Sequence, residues 1–274
     1  MYYFSHLVQI YYLDLFIGDK VWLTKYNASG NDFLIFHTFN DMLDSKKRSE
    51  FAKKVCNRHS GVGADGLVIV MPHNKYAYKW DFYNSDGSKA NMCGNASRCV
   101  AHYAYQNNLA PKKHSFLSGA GEIKVEIKDD DVVEINFGKI KILKNAIDEY
   151  EMKFALLDSG VPHLVSFIDD KMLRNKNDMM KDLREKYNAN VNLAKIISKD
   201  TIHVATYERG VEDITLACGT GMAATYYIAL IQNKINKIAT LIPPSKEPLC
   251  FRIKNDEVYY KGKIERICDI KLFL

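Results

Sequence analysis

Asn84–Cys99 reads NSDGSKANMCGNASRC, and the rest of the chain is organised around it. The aromatic, strand-like run Tyr76–Tyr83 ends in its polar, Gly-containing start. Its Cys93-Gly94-Asn95 stands directly before residues at helical spacing: Ala96, Val100, Tyr103 and Ala104. The second half repeats the pattern at Cys218-Gly219-Thr220-Gly221, followed by Met222, Ala223, Tyr226 and Leu230. A helix start leaves backbone N–H groups without intrahelical partners, and its dipole favours negative charge. Such a setting draws a thiol pKa down from about 8.5 and also gathers carboxylates. Two thiols so placed point to paired acid–base chemistry.

Working outward, Val21–Leu23 and Phe33–Phe36 are β-rich runs around the turn-rich Asn27–Asp32. A helix is expected from Ser45, with Phe51, Ala52 and Val55 on one face, and strands at Leu67–Met71 and Tyr78–Tyr83. Glu122–Ile127 and Val132–Phe137 read as a hairpin across the acidic turn Asp129–Asp131. The second half follows the same grammar. Phe154–Leu157 and His163–Ile168 flank a loop, residues 170–188 read as a charged helix, and Thr201–Tyr207 is a strand running into Glu208-Arg209-Gly210. Ala239–Ile242, Leu249–Ile253 and Val258–Tyr260 complete the strands. Strand, polar loop, Cys-Gly and helix thus occur once per half, which predicts two similar α/β domains with both cysteines at the interface. Gly138–Glu149 is the expected boundary, dividing the chain into 21–137 and 138–263.

Composition narrows the function classes. With 47% apolar and 26% charged residues, the chain has the make-up of a globular protein. Its net charge of +5 is spread along the sequence, and lysine-rich pieces are interleaved with acids, so nucleic acid is not an expected partner. Residues 1–20 are apolar and aromatic but carry Asp14 and Asp19 and lack a basic start. They read as an N-terminal extension, neither signal peptide nor membrane anchor, and a reduced cytoplasmic protein is expected. Six cysteines in 274 residues do not make a disulfide scaffold. Cys56, Cys99, Cys250 and Cys268 fall in apolar or amphipathic runs and read as core. Cys56 with His59 and Cys99 with His102 have zinc-like spacing, so a zinc or thiol-redox protein is the rival from another class.

KYNASGNDF (Lys25–Phe33), NRHSGVGADGL (Asn57–Leu67), Asn84–Cys99, SGVPH (Ser159–His163) and ERGVEDITLACGTG (Glu208–Gly221) resemble the signatures of the diaminopimelate epimerase family, in order from about Leu23 to the C-terminus. The resemblance implies a mixed α/β fold of two pseudo-symmetric domains, each a curved mixed sheet or barrel around a central helix, with residues from about 264 to 274 returning to the first domain. It implies cofactor-independent interconversion of LL- and meso-2,6-diaminopimelate, serving lysine and peptidoglycan precursor synthesis. A homodimer, a small dicarboxylic diamino acid as substrate, and neither metal nor PLP are further expectations.

Carried over residue by residue, the resemblance makes Cys93 and Cys218 the catalytic pair. Asn31, Asn84, Asn192, Glu208 and Arg209 are then the groups holding the ends of the substrate. Gly94-Asn95 and Gly219-Thr220 are the carboxylate-gripping helix starts, and His163 a supporting residue. The chemistry is consistent. Inverting a carbon next to a carboxylate needs a base on one face and an acid on the other, both with pKa near working pH. Helix-start N–H groups also stabilise charge gathering on that carboxylate. Val161 and Gly66 stand where relatives carry Asn and Gln, so those side-chain contacts do not transfer. Within the same fold the rival is a proline or hydroxyproline racemase, which needs no clamp for a distal end.

Overall fold

The computed structural model describes residues 16–17, 20–39, 44–169 and 178–273, and these fold into two compact units. One comprises the described residues through Val133 together with those from Lys263 onward; the other is Glu134–Gly262. The first 15 residues and 170–177, part of the expected charged helix, lie outside the described residues.

In the first unit, Lys20–Ala28 forms a hairpin with Asn31–His37. Its two turn residues, Ser29 and Gly30, both have positive φ (54° and 84°), which a tight two-residue hairpin loop demands. Asn31–His37 then pairs in parallel with Gly66–Met71 through helix α1 (Ser45–Cys56), the crossover that parallel strands require. Asp44 caps α1, its Oδ1 accepting from Lys47 N at 2.9 Å. All six residues of Gly66–Met71 are buried, which is why this run reads as continuous apolar sequence. It pairs antiparallel with Lys79–Asn84, the strand that delivers the chain into the cysteine loop. Lys113–Ser118 and Gly121–Asp129 extend the sheet, and Glu265–Phe273 comes back to pair antiparallel with Lys20–Ala28.

Helix α2 (Gly94–Gln106) is buried at every residue from Gly94 to Ala104. A helix covered all round is a core helix. It packs on strands Lys20–Ala28, Asn31–His37, Gly66–Met71 and Gly121–Asp129, so the sheet curves about it. Fully burying each of its larger apolar side chains stabilises the unit by about 1.5–3 kcal/mol.

The second unit repeats this connection. Met152–Asp158 forms a hairpin with Pro162–Phe167, which pairs in parallel with Asn190–Ser198 after helix α3 (Asp178–Tyr187). Asn190–Ser198 pairs antiparallel with Thr201–Glu208. Helix α4 (Gly219–Ile231) follows, and Ile238–Ile242, Leu249–Lys254 and Glu257–Lys263 close the sheet. α4 packs on Met152–Asp158, Pro162–Phe167, Asn190–Ser198, Thr201–Glu208 and Ile238–Ile242, all strands of its own unit. Lys141–Glu149, within the expected boundary Gly138–Glu149, is a strand paired with Met152–Asp158. Strands Lys113–Ser118 and Asn190–Ser198 have no counterpart in the sequence reading.

Candidate active site

Each cysteine is the N-cap of its helix. Cys93 has φ −144° and ψ 126°, Cys218 φ −118° and ψ 104°: extended backbone before the first helical turn. The first intrahelical bonds run from Ser97 N to Cys93 O and from Met222 N to Cys218 O, both at 2.9 Å. The N–H groups of Gly94, Asn95 and Ala96, and of Gly219, Thr220 and Gly221, therefore precede the helical ladder. Cys93 is half-buried and Cys218 buried, and neither forms a disulfide. A thiol beside three aligned N–H groups is set up to carry negative charge.

Around Cys93 the helix start is braced by amides and a guanidinium. Asn95 Nδ2 donates to Asn31 Oδ1 at 2.6 Å, and Asn31 Nδ2 donates to Asp65 Oδ2 at 3.1 Å. Arg98, wholly buried, donates to Asn95 Oδ1 and Ser29 Oγ at 2.8 Å and to Lys263 O at 3.0 Å. Lys25 and Arg58 flank Asp32 and hold its carboxyl below the usual range against the opposing effect of burial. Asn84 ends its strand exposed, with Nδ2 donating to Ser88 Oγ at 3.0 Å.

The surroundings of Cys218 are built differently. Its sulfur lies 3.4 Å from Thr220 Oγ1, which lies 3.0 Å from His163 Nε2. Burial pushes the His163 pKa down to about 3, so its ring is neutral at any physiological pH. Glu208 bonds the side chains of Cys218 and Thr215, and burial raises its carboxyl pKa. The Arg209 guanidinium is steadied by Asn188 O at 3.0 Å.

The first unit thus gathers Asn31, Cys93, Gly94 and Asn95, and the second gathers His163, Glu208, Arg209, Cys218, Gly219 and Thr220. Asn192 sits differently from its expected role. It is fully buried beneath α4, with Nδ2 donating to Leu164 O and His163 Nδ1 and Oδ1 accepting from Thr206. Asn190, two residues earlier on the same face, stands at the strand start and accepts from Arg209 N at 2.8 Å. Sequence reasoning passed over Asn190, Thr206 and Arg98. Strand alternation could have paired Asn190 with Asn192, but only once a strand was recognised there. Of the two Cys/His pairs, Cys56, Cys99 and His102 are buried while His59 is exposed, and His102 is held in the core: its Nδ1 meets Tyr26 Oη at 3.0 Å and its Nε2 meets Asp130 O at 2.8 Å. Among the described residues no three His, Cys, Asp or Glu side chains group as metal ligands, and no helix is long and apolar enough to cross a membrane.

A diaminopimelate epimerase family model matches residues 23–143 and 155–267, spanning both cysteine helices. The chain belongs to the diaminopimelate epimerase family. It is 50% identical over 245 residues to the diaminopimelate epimerase of a Nitratiruptor species, covering 89% of this chain and 96% of that one. To a diaminopimelate epimerase of Helicobacter pylori it is 50% identical over 258 residues, with 89% and 93% covered. Family members of this kind share their fold with more distant proteins. A hydroxyproline epimerase from Agrobacterium vitis superposes with a TM-score of 0.70 at 11% identity, covering 94% of this chain and 93% of that one. A Bacillus anthracis phenazine biosynthesis protein of the PhzF family gives 0.71 at 10% identity, with 93% and 99% covered. Those two likenesses establish the two-domain mixed α/β fold.

Proposed function

We propose that this protein is an isomerase that interconverts LL- and meso-2,6-diaminopimelate, with Cys93 and Cys218 as its acid–base pair. The observation that carries the reading is that each half of the chain places a cysteine at the N-cap of a buried helix. In one direction, one thiolate takes the α-proton. The C–H electron pair moves onto the α-carbon and its carboxylate, and the other thiol delivers its proton to the opposite face. The acceptor is then a thiol and the donor a thiolate, so the reverse reaction starts from the state the forward one leaves. Helix-start N–H groups from Gly94-Asn95 and Gly219-Thr220 hold the reacting carboxylate and stabilise the charge it gains. On this reading the two thiols work on one carbon as a coupled acid–base system, so their pKa values belong to the pair.

Arg209, with a forked guanidinium suited to a carboxylate, and Glu208, an acceptor for an ammonium group, hold the ends of the substrate together with Asn31 and Asn84. The amide role first given to Asn192 passes to Asn190, whose side chain lies at the strand start beside Arg209. Half-identity to curated diaminopimelate epimerases supports this substrate over the imino acids of the hydroxyproline epimerase, with which only the fold is shared. A cytoplasmic homodimer without metal or PLP completes the reading.

The test is proton exchange by NMR, with LL-diaminopimelate in D2O and wild type, Cys93→Ala and Cys218→Ala. Deuterium is expected at the α-carbon as the meso isomer appears, and both variants should lose it. Absence of exchange with reduced, folded wild type overturns the assignment.

A further inference from the structure

The two units share a backbone plan but differ in what lies under the cysteine helices. In the first unit the strand register places Val68 opposite Ile35 and Phe82, and Phe33 opposite Gly66. In the second it places Asn192 opposite Val165 and Thr206, and His163 opposite Asn190. Position for position, Phe33, Val68 and Phe82 become His163, Asn192 and Thr206. An apolar floor under α2 is a hydrogen-bonded floor under α4, and His163, Asn192 and Thr206 are all buried.

The partners fix every orientation in this floor. Leu164 O can only accept, so the atom of Asn192 that faces it at 2.9 Å is the amide nitrogen. That nitrogen's other hydrogen points at His163 Nδ1, 3.0 Å away, which must then be the unprotonated ring nitrogen. Thr206 Oγ1 donates to Asn192 Oδ1 at 2.8 Å and prevents the amide from turning over. With Nδ1 accepting, the single ring proton of the neutral imidazole resides on Nε2, facing Thr220 Oγ1 at 3.0 Å. Asn190 Nδ2 also approaches Nε2, at 3.4 Å, but donates to Pro162 O at 3.2 Å. Thr220 therefore accepts from His163 and has its own hydroxyl hydrogen left for the Cys218 sulfur at 3.4 Å.

We propose that Thr206 and Asn192 are positioning residues that lock His163 as its Nε2–H tautomer, so that Thr220 turns its hydroxyl onto Cys218 and favours the thiolate there. The aligned residue of the first unit, Asn95, instead commits its amide to Asn31 and Arg98. The relay makes the two thiols unequal before substrate arrives. Other groups bear on the same sulfur or ring: Glu208 bonds Cys218, Arg209 acts on the imidazole through its charge, and the Tyr260 hydroxyl faces Gly219. None is altered in the variants below.

The experiment is peptide-resolved iodoacetamide labelling of Cys218 as a function of pH, in a Cys93→Ser background without substrate. Thr220→Val is expected to slow Cys218 alkylation at pH 7 about tenfold and move its pH profile upward, the loss of one donor to a charged acceptor. Thr206→Val should move it the same way by about threefold, with Thr206→Ser restoring the original profile. Nitrogen-15 NMR of the wild-type imidazole should report the proton on Nε2, a readout that requires no variant. An unchanged Cys218 profile in folded Thr220→Val, or a proton on Nδ1 in wild type, overturns the proposal. Labelling involves no substrate, so its outcome is separate from that of the deuterium exchange test.

Discussion

Gly221 marks where helix α4 meets the polar floor, and Gly221→Ala puts that contact to a quantitative test. A Cβ built there would lie 2.3 Å from Asn192 Oδ1, 2.8 Å from Thr206 Oγ1 and 3.3 Å from His163 Cε1. Those side chains are buried and mutually hydrogen bonded, so none can retreat without breaking a bond. Overpacking of this kind costs about 1–3 kcal/mol. Breaking the Thr206–Asn192 bond in a buried site adds about 1–3 kcal/mol. Against this, alanine gains about 1 kcal/mol over glycine inside a helix. The net expectation is a loss of about 1–5 kcal/mol, with epimerisation falling because α4 carries Cys218. The assay is the urea midpoint, followed by far-UV circular dichroism and compared with Ala96→Gly at the aligned position of α2. A Gly221→Ala protein as stable as wild type, or more stable as helix propensity alone dictates, would refute the packing argument.

Asn190→Ala and Asn192→Ala should separate in their readouts. Asn190→Ala raises KM for diaminopimelate while moving the urea midpoint little, whereas Asn192→Ala costs about 2–4 kcal/mol, since it opens a cavity and strands Thr206 and Leu164 O. The His163 pKa of about 3 lies below that of an unfolded histidine, so the unfolded chain binds the extra proton between about pH 6.5 and 3. The stability it contributes is full above that window and is lost as pH falls through it. His163→Gln should flatten this acid limb in equilibrium unfolding between pH 7 and 4. Arg98→Met removes donors to Asn95, Ser29 and Lys263 O and is expected to destabilise by about 3 kcal/mol, with the loss read in thermal unfolding and a slowed Cys93 alkylation.

Much of the site was legible because its signals are local. A cysteine followed by glycine at the start of a helical pattern is a property of a few adjacent residues, and both Cys93 and Cys218 are N-caps in the fold. The same holds for the strand runs at Leu67–Met71 and Thr201–Tyr207, which the structure extends by one residue each. Turn chemistry at Ser29-Gly30 is local too.

What adjacency could not settle is which side chains meet across strands. NVNLAKIIS at Asn190–Ser198 carries neither clean alternation nor a continuous apolar run, so the strand passed unread, and with it the distinction between Asn190 and Asn192. Both lie on one face of that strand. Only the register against Pro162–Phe167 and Thr201–Glu208 decides that Asn190 stands at the strand start while Asn192 is sealed under α4. Arg98 is buried because the sheet curves around α2, which no local signal in the sequence announces. The two cysteine helices look alike in sequence because capping depends on the nearest residues. They differ in chemistry because Thr206, Asn192 and His163, separated along the chain, are brought under one of them by strand pairing.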